Sequence, residues 1–475
     1  MNLSTVYPAS NIVAIDRLSR RIVVAYSSVA RLMAFCVMVV CLTTCVISAA
    51  ANERSNWPQF RGPGGDGVAL DARPPLQFGP NENQTWRTDI PGKGWSSPIV
   101  DDGIVWVTTA IERAADANEI EARMQKSGVK PREMKSRSVA AAIELHLIGL
   151  DFASGEVVRD VTLVTHSDPD AIHSLNSYAS PTPVAADGTI YCHFGTYGTY
   201  AVDAKNGQIL WQHRDQVVHA VGPGSSPVVD GDRLILVLDG CEQQRVLVLD
   251  RHDGSEIWQT ERPEMDAPDG DQKKAFCTPV VVESSDGRKQ YLCLASQYMV
   301  SYHPDDGREL WRCYHGRGFS IVPRPVFADD VVYFSTGFGK TELFAVDVTG
   351  DGDVTDTHVR WTSSRGVPKK PSLVLHDGLI YMIDDSGVMS CLDQRGEPVW
   401  KKRIGGNHSA SPTIAGNHLI VASQEGVVTI LSLGRQSDVI GKIDMGDRIM
   451  ASPAAIGDTL VLRTESAIYR FDRKP

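Results

Sequence analysis

A short proline-containing segment recurs along the chain and constrains its architecture. Three near-identical copies are Ser226-Pro-Val-Val-Asp-Gly231, Ser411-Pro-Thr-Ile-Ala-Gly416 and Ser452-Pro-Ala-Ala-Ile-Gly457, each followed by an alternating apolar run. The recurring prolines are Pro98, Pro183, Pro227, Pro279, Pro325, Pro371, Pro412 and Pro453, and their last six intervals are 41 to 52 residues. Four short strands repeated at such a period are typical of a β-propeller blade. The eight prolines therefore predict an all-β, eight-bladed propeller of four-stranded blades.

A second motif closes most units with an aspartate, a glycine and a tryptophan. Its fullest copy is Ala201-Val-Asp203-Ala-Lys-Asn-Gly207-Gln-Ile-Leu-Trp211. Other copies contribute Asp250, Gly254, Trp258, Trp311, Trp361 and Trp400. The third strand of each unit ends at the aspartate, and the fourth carries the tryptophan. Short strands separated by Gly, Asp and Asn turns form hairpins, so each unit is predicted to be a small antiparallel sheet.

The two ends of the repeat array complement each other. The last unit ends at Asp472 without a tryptophan strand, whereas an unpaired strand containing Trp86 precedes the first unit. We expect this N-terminal strand to become the outer strand of the last blade. Such pairing closes the ring and removes a free sheet edge.

The first interval, 85 residues from Pro98 to Pro183, is about twice the usual length. Its excess contains residues 112–137, which are rich in Ala, Met and charges of both signs. This composition predicts a helical insertion in a loop of the first blade. The helix is either solvated on its charged faces or used to dock a partner.

The first 51 residues differ from the rest of the chain. Four arginines precede an apolar run at 32–47, and small residues follow it. This order is typical of a secretory signal, so we expect an exported protein, periplasmic or extracellular. An uncleaved membrane anchor is the alternative for the same segment. We then expect an N-terminal extension at 52–80, with a flexible Gly-rich stretch at 62–67, and the propeller at 81–475.

The net charge argues against nucleic acid as a general partner. The formal charge is −11 at pH 7, and the first 50 residues hold four Arg and one Asp, a net of +3. The remainder therefore carries −11 − 3 = −14. Nucleic-acid backbones are bound by basic patches, which this balance does not favour.

Six cysteines lie beyond the leader, and none forms a Cys-x-x-Cys pair. Attachment of a metal or haem through cysteine is therefore not predicted. Cys277 and Cys293 flank one predicted hairpin and could form a disulfide after export. The alternative is that both are buried free thiols.

An acidic stretch, Asp347-Val-Thr-Gly-Asp-Gly-Asp-Val-Thr-Asp356, resembles a calcium loop. Asp347, Asp351 and Asp353 are its candidate metal ligands. A helix-loop-helix calcium loop needs a bidentate Glu at its twelfth position, where this chain has His358, and the flanks here are predicted strands. A structural Ca²⁺ and a metal-free acidic turn are therefore both retained as alternatives.

The loops that lead into the innermost strands surround the central channel of a propeller; we call them the axial loops. They interleave cations, aromatic rings and amides, and the candidate ligand-binding residues of this axial funnel are Lys93, Trp95, Asn176, Tyr178, His219, Arg317, Phe319, Arg324, Lys369, Asn407, His408 and Arg448. Such a set suits an anionic planar ligand, or a carboxylated glycan or peptide. An ordinary solvated rim is the alternative. His219 and His408 could act as metal ligands or general bases, but neither has a paired acid at a known spacing.

The motif Ala-x-Asp-x-x-x-Gly-x-x-x-Trp, at Ala201, Asp203, Gly207 and Trp211, resembles the pyrroloquinoline-quinone-like repeat family. The resemblance covers about residues 81–475 and implies an eight-bladed propeller. It also implies that the tryptophan packs between blades and that the glycine makes the turn, which are structural roles. The segment Trp-Pro-Gln-Phe-Arg-Gly-Pro-Gly at 57–64 looks like the opening of exported bacterial members.

Two kinds of protein share these repeats. The quinone-dependent dehydrogenases hold pyrroloquinoline quinone (PQQ) and Ca²⁺ on the propeller axis, with an Asp as base. Others are non-catalytic, such as the scaffold lipoprotein of the outer-membrane barrel assembly machine. This chain lacks the adjacent cysteines that form a disulfide over the quinone in the dehydrogenases, and their calcium ligands and Asp base do not align with it. No catalytic residue is therefore transferred to this sequence.

The sequence favours an exported, non-catalytic propeller that needs no cofactor and serves as a binding or scaffold module. Its partner would be a protein, peptide or glycan at the axial funnel, with membrane contact only through an uncleaved leader. The alternatives are a PQQ-dependent dehydrogenase with axial quinone and Ca²⁺, and a glycan-active enzyme that uses the His and Arg residues of the funnel. No GxSxG, HExxH or P-loop pattern occurs.

Overall fold

Short runs of β-branched and aromatic residues form strands along most of the computed structural model, which describes residues 56–126 and 134–474. Eight of the nine sheets in the described residues have four antiparallel main strands each, because short Gly- and Asp-containing turns join consecutive strands into hairpins. The ninth sheet is a two-stranded pairing of Arg137–Ser138 with Ile172–His173. The predicted all-β, eight-bladed propeller is confirmed. The predicted leader, 1–51, lies outside the described residues.

The strands of the first four blades, from inner to outer, are Ile99–Asp101, Ile104–Ala114, Ala140–Asp151 and Val157–Ser167; Val184–Ala186, Thr189–His193, Thr199–Asp203 and Ile209–His213; Val228–Asp230, Arg233–Asp239, Gln244–Asp250 and Glu256–Glu261; and Val280–Glu283, Lys289–Leu294, Tyr298–Tyr302 and Glu309–Tyr314. Those of the last four are Val326–Ala328, Val331–Ser335, Leu343–Asp347 and Val359–Ser363; Val374–His376, Leu379–Ile383, Val388–Asp393 and Pro398–Arg403; Thr413–Ala415, His418–Ala422, Val427–Ser432 and Val439–Asp444; and Ala454–Ile456, Thr459–Arg463, Ala467–Asp472 and Gln84–Asp89.

The N-terminal strand closes the ring. Gln84–Asp89 pairs antiparallel with Ala467–Asp472 and supplies the outer strand of blade 8. The predicted closure is therefore confirmed. A second N-terminal strand, Val68–Ala69, pairs parallel with Thr413–Ala415, the inner strand of blade 7.

Apolar side chains of neighbouring blades form the core together. One cluster joins Val248 and Trp258 of blade 3 to Tyr291 and Tyr302 of blade 4. Similar clusters join the other blades. A single four-stranded sheet could not cover both of its apolar faces, so the stacking of neighbours supplies the hydrophobic stabilisation.

The Asp-Gly-Trp motif fastens a blade to the next one. The indole N–H of Trp211 in blade 2 donates to the carbonyl oxygen of Arg251 in the turn of blade 3, at 2.9 Å. Gly254 in that turn has φ +75°, and a Cβ there would lie 2.6 Å from the indole. Both the backbone conformation and the close contact with the indole therefore require glycine. Equivalent bonds of 2.8–3.0 Å are made by Trp258, Trp361, Trp400 and Trp86. Asp203 accepts the backbone N–H of Lys205 and so shapes its turn.

Trp311 departs from this pattern because the acidic turn of blade 5 covers the outer edge of blade 4. Gly352–Asp353, within that turn, pairs parallel with Glu309–Tyr314 as a fifth strand. Trp311 is fully buried, and its indole N–H donates to the side-chain oxygen of Gln290 at 2.7 Å. The acidic turn therefore extends a sheet.

The insertion of blade 1 contains helix α1, Ala117–Lys126. The helix begins where Asp116 and Glu119 each accept the other's backbone N–H, which is a capping box. The predicted helical insertion in the first blade is confirmed, and the long strands on either side of it extend to Ala114 and begin again at Ala140. Residues 127–133 are outside the described part. No helix within the described ranges is long and apolar enough to cross a bilayer.

Cys277 and Cys293 are free thiols in the folded chain, and both are buried. No disulfide joins them, so the buried-thiol alternative describes the structure. Burial raises the pKa of the Cys293 thiol to about 12. Neither side chain is therefore a thiolate at neutral pH.

Candidate functional site

A ring of side-chain hydroxyls surrounds the propeller axis where the inner strands begin. In seven blades, the hydroxyl oxygen of a Ser or Thr accepts the backbone N–H of the equivalent residue in the preceding blade, at 2.9–3.1 Å. The members of this hydroxyl ring are Ser97, Thr182, Ser226, Thr278, Ser372, Ser411 and Ser452. The bond from the N–H of Ser452 to Ser97 joins blade 8 to blade 1 and completes the circuit.

Arg324 occupies the eighth position of the hydroxyl ring. Its buried guanidinium donates to the carbonyl oxygens of Phe60 at 3.0 Å, Gly65 at 2.9 Å and Pro279 at 3.1 Å. A Cβ on Gly65 would lie 2.1 Å from the guanidinium nitrogen, so only glycine allows this approach. Arg324 thus fastens the N-terminal segment instead of lining the funnel.

Residues 57–67 fill the channel beside the inner strands. The N–H of Trp57 donates to Val100 of blade 1 at 2.7 Å, and Gly67 accepts the N–H of Ile414 in blade 7 at 2.8 Å. Arg61 is buried between these contacts, where burial lowers its pKa to about 9. The segment therefore spans the axis, and the expectation that 62–67 is a flexible stretch is wrong, because its carbonyl groups are bound by Arg324 and Arg61.

A pocket of about 410 Å³ lies between the axial loops, and we call it the axial pocket. All seven members of the hydroxyl ring line it together with Phe60, which stands on the side of the filled channel. The other Trp and Phe residues that line it are Trp95, Phe276, Phe319 and Phe338, and its Arg, Lys and Asp residues are Arg137, Lys274, Lys370 and Asp271. The hydroxyl ring and Phe60 form the base, and the axial loops form the wall.

The lining of the axial pocket has an excess of positive charge. Three cations and one carboxylate give 3 − 1 = +2. Lys274 is buried and donates to both the carboxylate and the carbonyl oxygen of Asp271, whereas Lys370 lies 3.6 Å from Asp385. Burial, reinforced by the nearby cations, lowers the pKa of His173 and keeps its imidazole neutral. An anionic ligand suits this environment.

Five of the predicted funnel residues lie at this pocket or above its rings. Trp95, Asn176 and Phe319 line it. The Lys93 ammonium lies 5.4 Å from the centre of the Trp95 ring, and that of Lys369 lies 5.7 Å from the centre of the Phe338 ring. These distances are typical of cation–π contacts.

Seven of the predicted residues are not brought to the pocket: Tyr178, His219, Arg317, Arg324, Asn407, His408 and Arg448. Tyr178 is buried and donates to the carbonyl oxygen of Asp170 at 2.7 Å. Both ring nitrogens of His408 lie 3.0 Å from backbone carbonyl oxygens. Arg317 pairs with Asp266 at 2.7 Å on the surface. Tyr178, His408 and Arg317 thus have local structural partners.

The candidate calcium ligands are each bound by different neighbours. Asp347 accepts the hydroxyl of Thr349 and pairs with Arg360, Asp351 pairs with Arg288, and Asp353 accepts the hydroxyl of Thr355; the distances are 2.6–2.7 Å. Among the described residues, no group of three or more His, Cys, Asp or Glu could hold a metal ion.

The axial pocket does not offer the ligands that Ca²⁺ requires. Calcium takes six to eight oxygen ligands, with carboxylates prominent among them. Asp271 is the one carboxylate among the lining residues, and it is paired with Lys274. The described lining residues therefore do not supply the carboxylate-rich oxygen shell that Ca²⁺ takes.

Comparisons with known proteins agree with the propeller. Assembly factor BamB of Alkalilimnicola ehrlichii is 27% identical over 192 residues, which are 39% of this chain and 48% of that protein. Quinohemoprotein alcohol dehydrogenase ADH-IIG of Pseudomonas putida is 25% identical over 198 residues, 36% of this chain and 26% of that protein. This chain therefore matches half or less of the length of these curated relatives.

A solved structure shows the same fold. The quinohemoprotein alcohol dehydrogenase from Comamonas testosteroni superposes with a TM-score of 0.60 and 12% identity, over 90% of this chain and 83% of that one. The model of the family "Outer membrane protein assembly factor BamB" matches residues 80–354 and 350–437, which is most of the chain. With its repeats, its closed ring and this match, the chain belongs to the BamB family of β-propellers.

Proposed function

We propose that the chain is a non-catalytic binding or scaffold module whose partner docks on the face that contains the axial pocket. The observation that carries this proposal is the composition of the pocket. Its lining supplies aromatic rings, cations and hydroxyl groups, which are groups used for recognition. Asp271 is held by Lys274, and no second carboxylate stands among the described lining residues to work with it in general acid–base catalysis.

Family membership supports a protein partner. The relatives from Alkalilimnicola ehrlichii and Yersinia pestis are outer membrane protein assembly factors. We propose that this chain likewise binds a protein or peptide outside the cytoplasm, during assembly at the outer membrane. The apolar run at 32–47 supports export to the periplasm or the cell exterior.

Photo-crosslinking in the native host tests the docking face. A photoreactive residue replaces Leu175, which lines the pocket, or the exposed Arg317, two residues before the lining residue Phe319. Ile440, exposed on the outer strand of blade 7, serves as the control. We expect one discrete crosslinked partner from the two positions near the pocket and none from Ile440. Crosslinks from Ile440 alone would contradict the proposal.

A quinone-dependent oxidoreductase is the second candidate. The similarity to the Pseudomonas putida dehydrogenase and the aromatic, cationic lining favour it, whereas the lack of converging carboxylates among the described residues argues against it. The purified protein is mixed with PQQ and Ca²⁺, and absorbance and dye reduction with alcohols or sugars are recorded. Stoichiometric uptake with dye reduction would replace the binding-module proposal, and no uptake would support it.

A further inference from the structure

The hydroxyl ring has unused hydrogen-bond donors. A Ser or Thr hydroxyl can accept hydrogen bonds and donate one. Each of the seven hydroxyls already accepts a backbone N–H, but none donates to an acceptor in the described part of the chain. All seven side chains line the axial pocket and belong to residues that are more than nine-tenths buried. Seven O–H groups are therefore available at the base of one pocket.

We propose that the hydroxyl ring binds the carboxylate of a ligand seated in the axial pocket. Two or three neighbouring O–H groups are enough to satisfy a carboxylate, which accepts through two oxygens. The inference rests on the proposed function, because it specifies the chemistry that the docked partner presents. It assigns the contact to the base of the pocket, beyond the residues that sequence motifs had indicated.

The charge of the lining favours an anion over a neutral polyol. Lys274 is matched by Asp271, whereas Arg137 binds only the carbonyl oxygen of Ala220 among its hydrogen-bond partners in the described chain. Lys370 lies 3.6 Å from Asp385, a loose contact. The positive charges of Arg137 and Lys370 are thus only partly balanced by their neighbours in the described chain. Their low solvent exposure strengthens any charge-assisted hydrogen bond to an anion in the pocket.

The walls select what carries the carboxylate. Trp95, Phe276, Phe319 and Phe338 line a volume of about 410 Å³, and apolar rings favour an aromatic or aliphatic body. Such a carboxylate has two sources: a free small molecule, or the last residue of a peptide with a free carboxyl terminus. The chemistry at the hydroxyl ring is the same in both.

Calorimetric titration of the full-length protein tests the carboxylate. The probes are 3-phenylpropionate, its neutral amide, and an acetylated tripeptide ending in Phe with either a free or an amidated carboxyl terminus. We expect each carboxylate to bind at least tenfold more tightly than its amide. Binding of the free peptide more tightly than 3-phenylpropionate identifies a chain terminus as the source, and the reverse order identifies a small molecule. Equal binding of acid and amide, or no binding of either acid, would overturn the inference.

Variants locate the contact. The double variant Ser411→Ala/Ser452→Ala removes two neighbouring hydroxyls, and we expect affinity for the best carboxylate probe to fall at least fivefold. Ser225→Ala is the matched control, because the Ser225 hydroxyl donates to the carbonyl of Cys277 and does not line the pocket. Lys370→Met leaves the hydroxyl ring intact and should also weaken binding, so it decides the matter if the double variant fails to fold. Unchanged affinity in a folded double variant would overturn the inference, as would unchanged affinity in Lys370→Met if the double variant does not fold.

The crosslinking experiment keeps the two proposals separable. Crosslinks from the pocket face, combined with no binding of any carboxylate probe, would remove the carboxylate inference and leave the docking function in place. Carboxylate binding without crosslinks would support the site and remove the proposed docking function.

Discussion

The indole N–H of Trp86 donates a 2.9 Å hydrogen bond to the carbonyl oxygen of Phe152 and thereby joins the last blade to the first. On the same strand, the hydroxyl of Thr88 donates to the carbonyl of Gly155 at 2.6 Å. A strand from the beginning of the described chain therefore joins blade 8 to blade 1 through an indole-to-carbonyl hydrogen bond, the same contact that joins blades 2 and 3.

Deletion of residues 52–90 should destabilise all eight blades, because it opens this seam and exposes the edge of Ala467–Asp472. Trp86→Ala, a milder change, should lower the free energy of unfolding by roughly 3–5 kcal/mol, as for other buried large aromatic residues. Urea and thermal unfolding followed by circular dichroism measure both. Trp258→Ala, equally buried within the array, is the control for loss of one indole. A truncated protein that melts at the parent temperature would rule out the closing role.

Arg324→Ala should release the N-terminal segment from the channel. It removes three hydrogen bonds from a buried charged donor, and we expect the free energy of unfolding to fall by roughly 3 kcal/mol. Arg324→Ser supplies an acceptor for the N–H of Thr278 and should be about 1 kcal/mol more stable than Arg324→Ala. Hydrogen exchange of amides in 57–67 should accelerate in both variants. Exchange as slow as in the parent would contradict the role of Arg324.

Gly254→Ala and Gly188→Ala separate backbone strain from the contact between blades. Both glycines have positive φ, +75° and +77°, but a Cβ on Gly254 meets Trp211 whereas one on Gly188 meets nothing within 4 Å. We expect Gly188→Ala to cost roughly 1–2 kcal/mol and Gly254→Ala roughly 2 kcal/mol more. Equal losses of unfolding free energy would show that the indole yields without cost.

Acid should destabilise the propeller through buried histidines. Burial lowers the pKa of His219 and of His315 to about 4, against about 6.5 in an unfolded chain. Well above pH 6.5 the two imidazoles are neutral in the folded and the unfolded chain. Between pH 6.5 and pH 4 they bind protons in the unfolded chain but not in the folded one, so the free energy of unfolding decreases as the pH decreases. At pH 5 the loss is roughly 2 kcal/mol for each histidine.

His219→Leu should reduce this pH dependence. Neither ring nitrogen of His219 has a hydrogen-bond partner within the described chain, so the substitution sacrifices no such bond. Unfolding free energies of the parent and the variant are compared at pH 7 and pH 5. Identical differences between the two pH values would show that His219 does not titrate in this way.

Calcium should leave the acidic turn unchanged. Asp347 and Asp351 pair with Arg360 and Arg288, and the turn is already fixed as a strand on blade 4. We expect no heat on titration with Ca²⁺ and no shift in melting on addition of a chelator. Saturable binding lost in Asp351→Asn would instead establish a metal site at this turn.

The sequence could predict what repeats. The period and the blade count follow from the recurring prolines. The closing role of Trp86 follows because the last unit lacks a tryptophan strand and an extra one precedes the first unit. The Ser and Thr residues of the hydroxyl ring also recur in the sequence, but their position relative to the recurring prolines is not constant. Ser372 follows Pro371, whereas Ser226 precedes Pro227, so the shared feature is the hydroxyl and not the proline.

The course of the N-terminal segment could not be predicted in this way. Its contacts include hydrogen bonds from Arg61 and Arg324 to backbone carbonyl groups. Because every residue has a backbone carbonyl group, the sequence does not indicate which of them these arginines bind. The lining of the axial pocket could not be predicted from the repeat either. Phe60 and Arg137 reach it from an extension and an insertion, outside the repeat, so no period connects them to the blades.

The strand Gln84–Asp89 also determines the order in which the fold can be completed. Asp89 pairs with Ala467, 467 − 89 = 378 residues further on, so this strand has no pairing partner until those residues have been synthesised. Contacts of such separation form late and leave an unpaired edge exposed meanwhile. A ribosome that stalls before Ala467 has been added would therefore carry seven blades and an open eighth, a state prone to pair with a second chain.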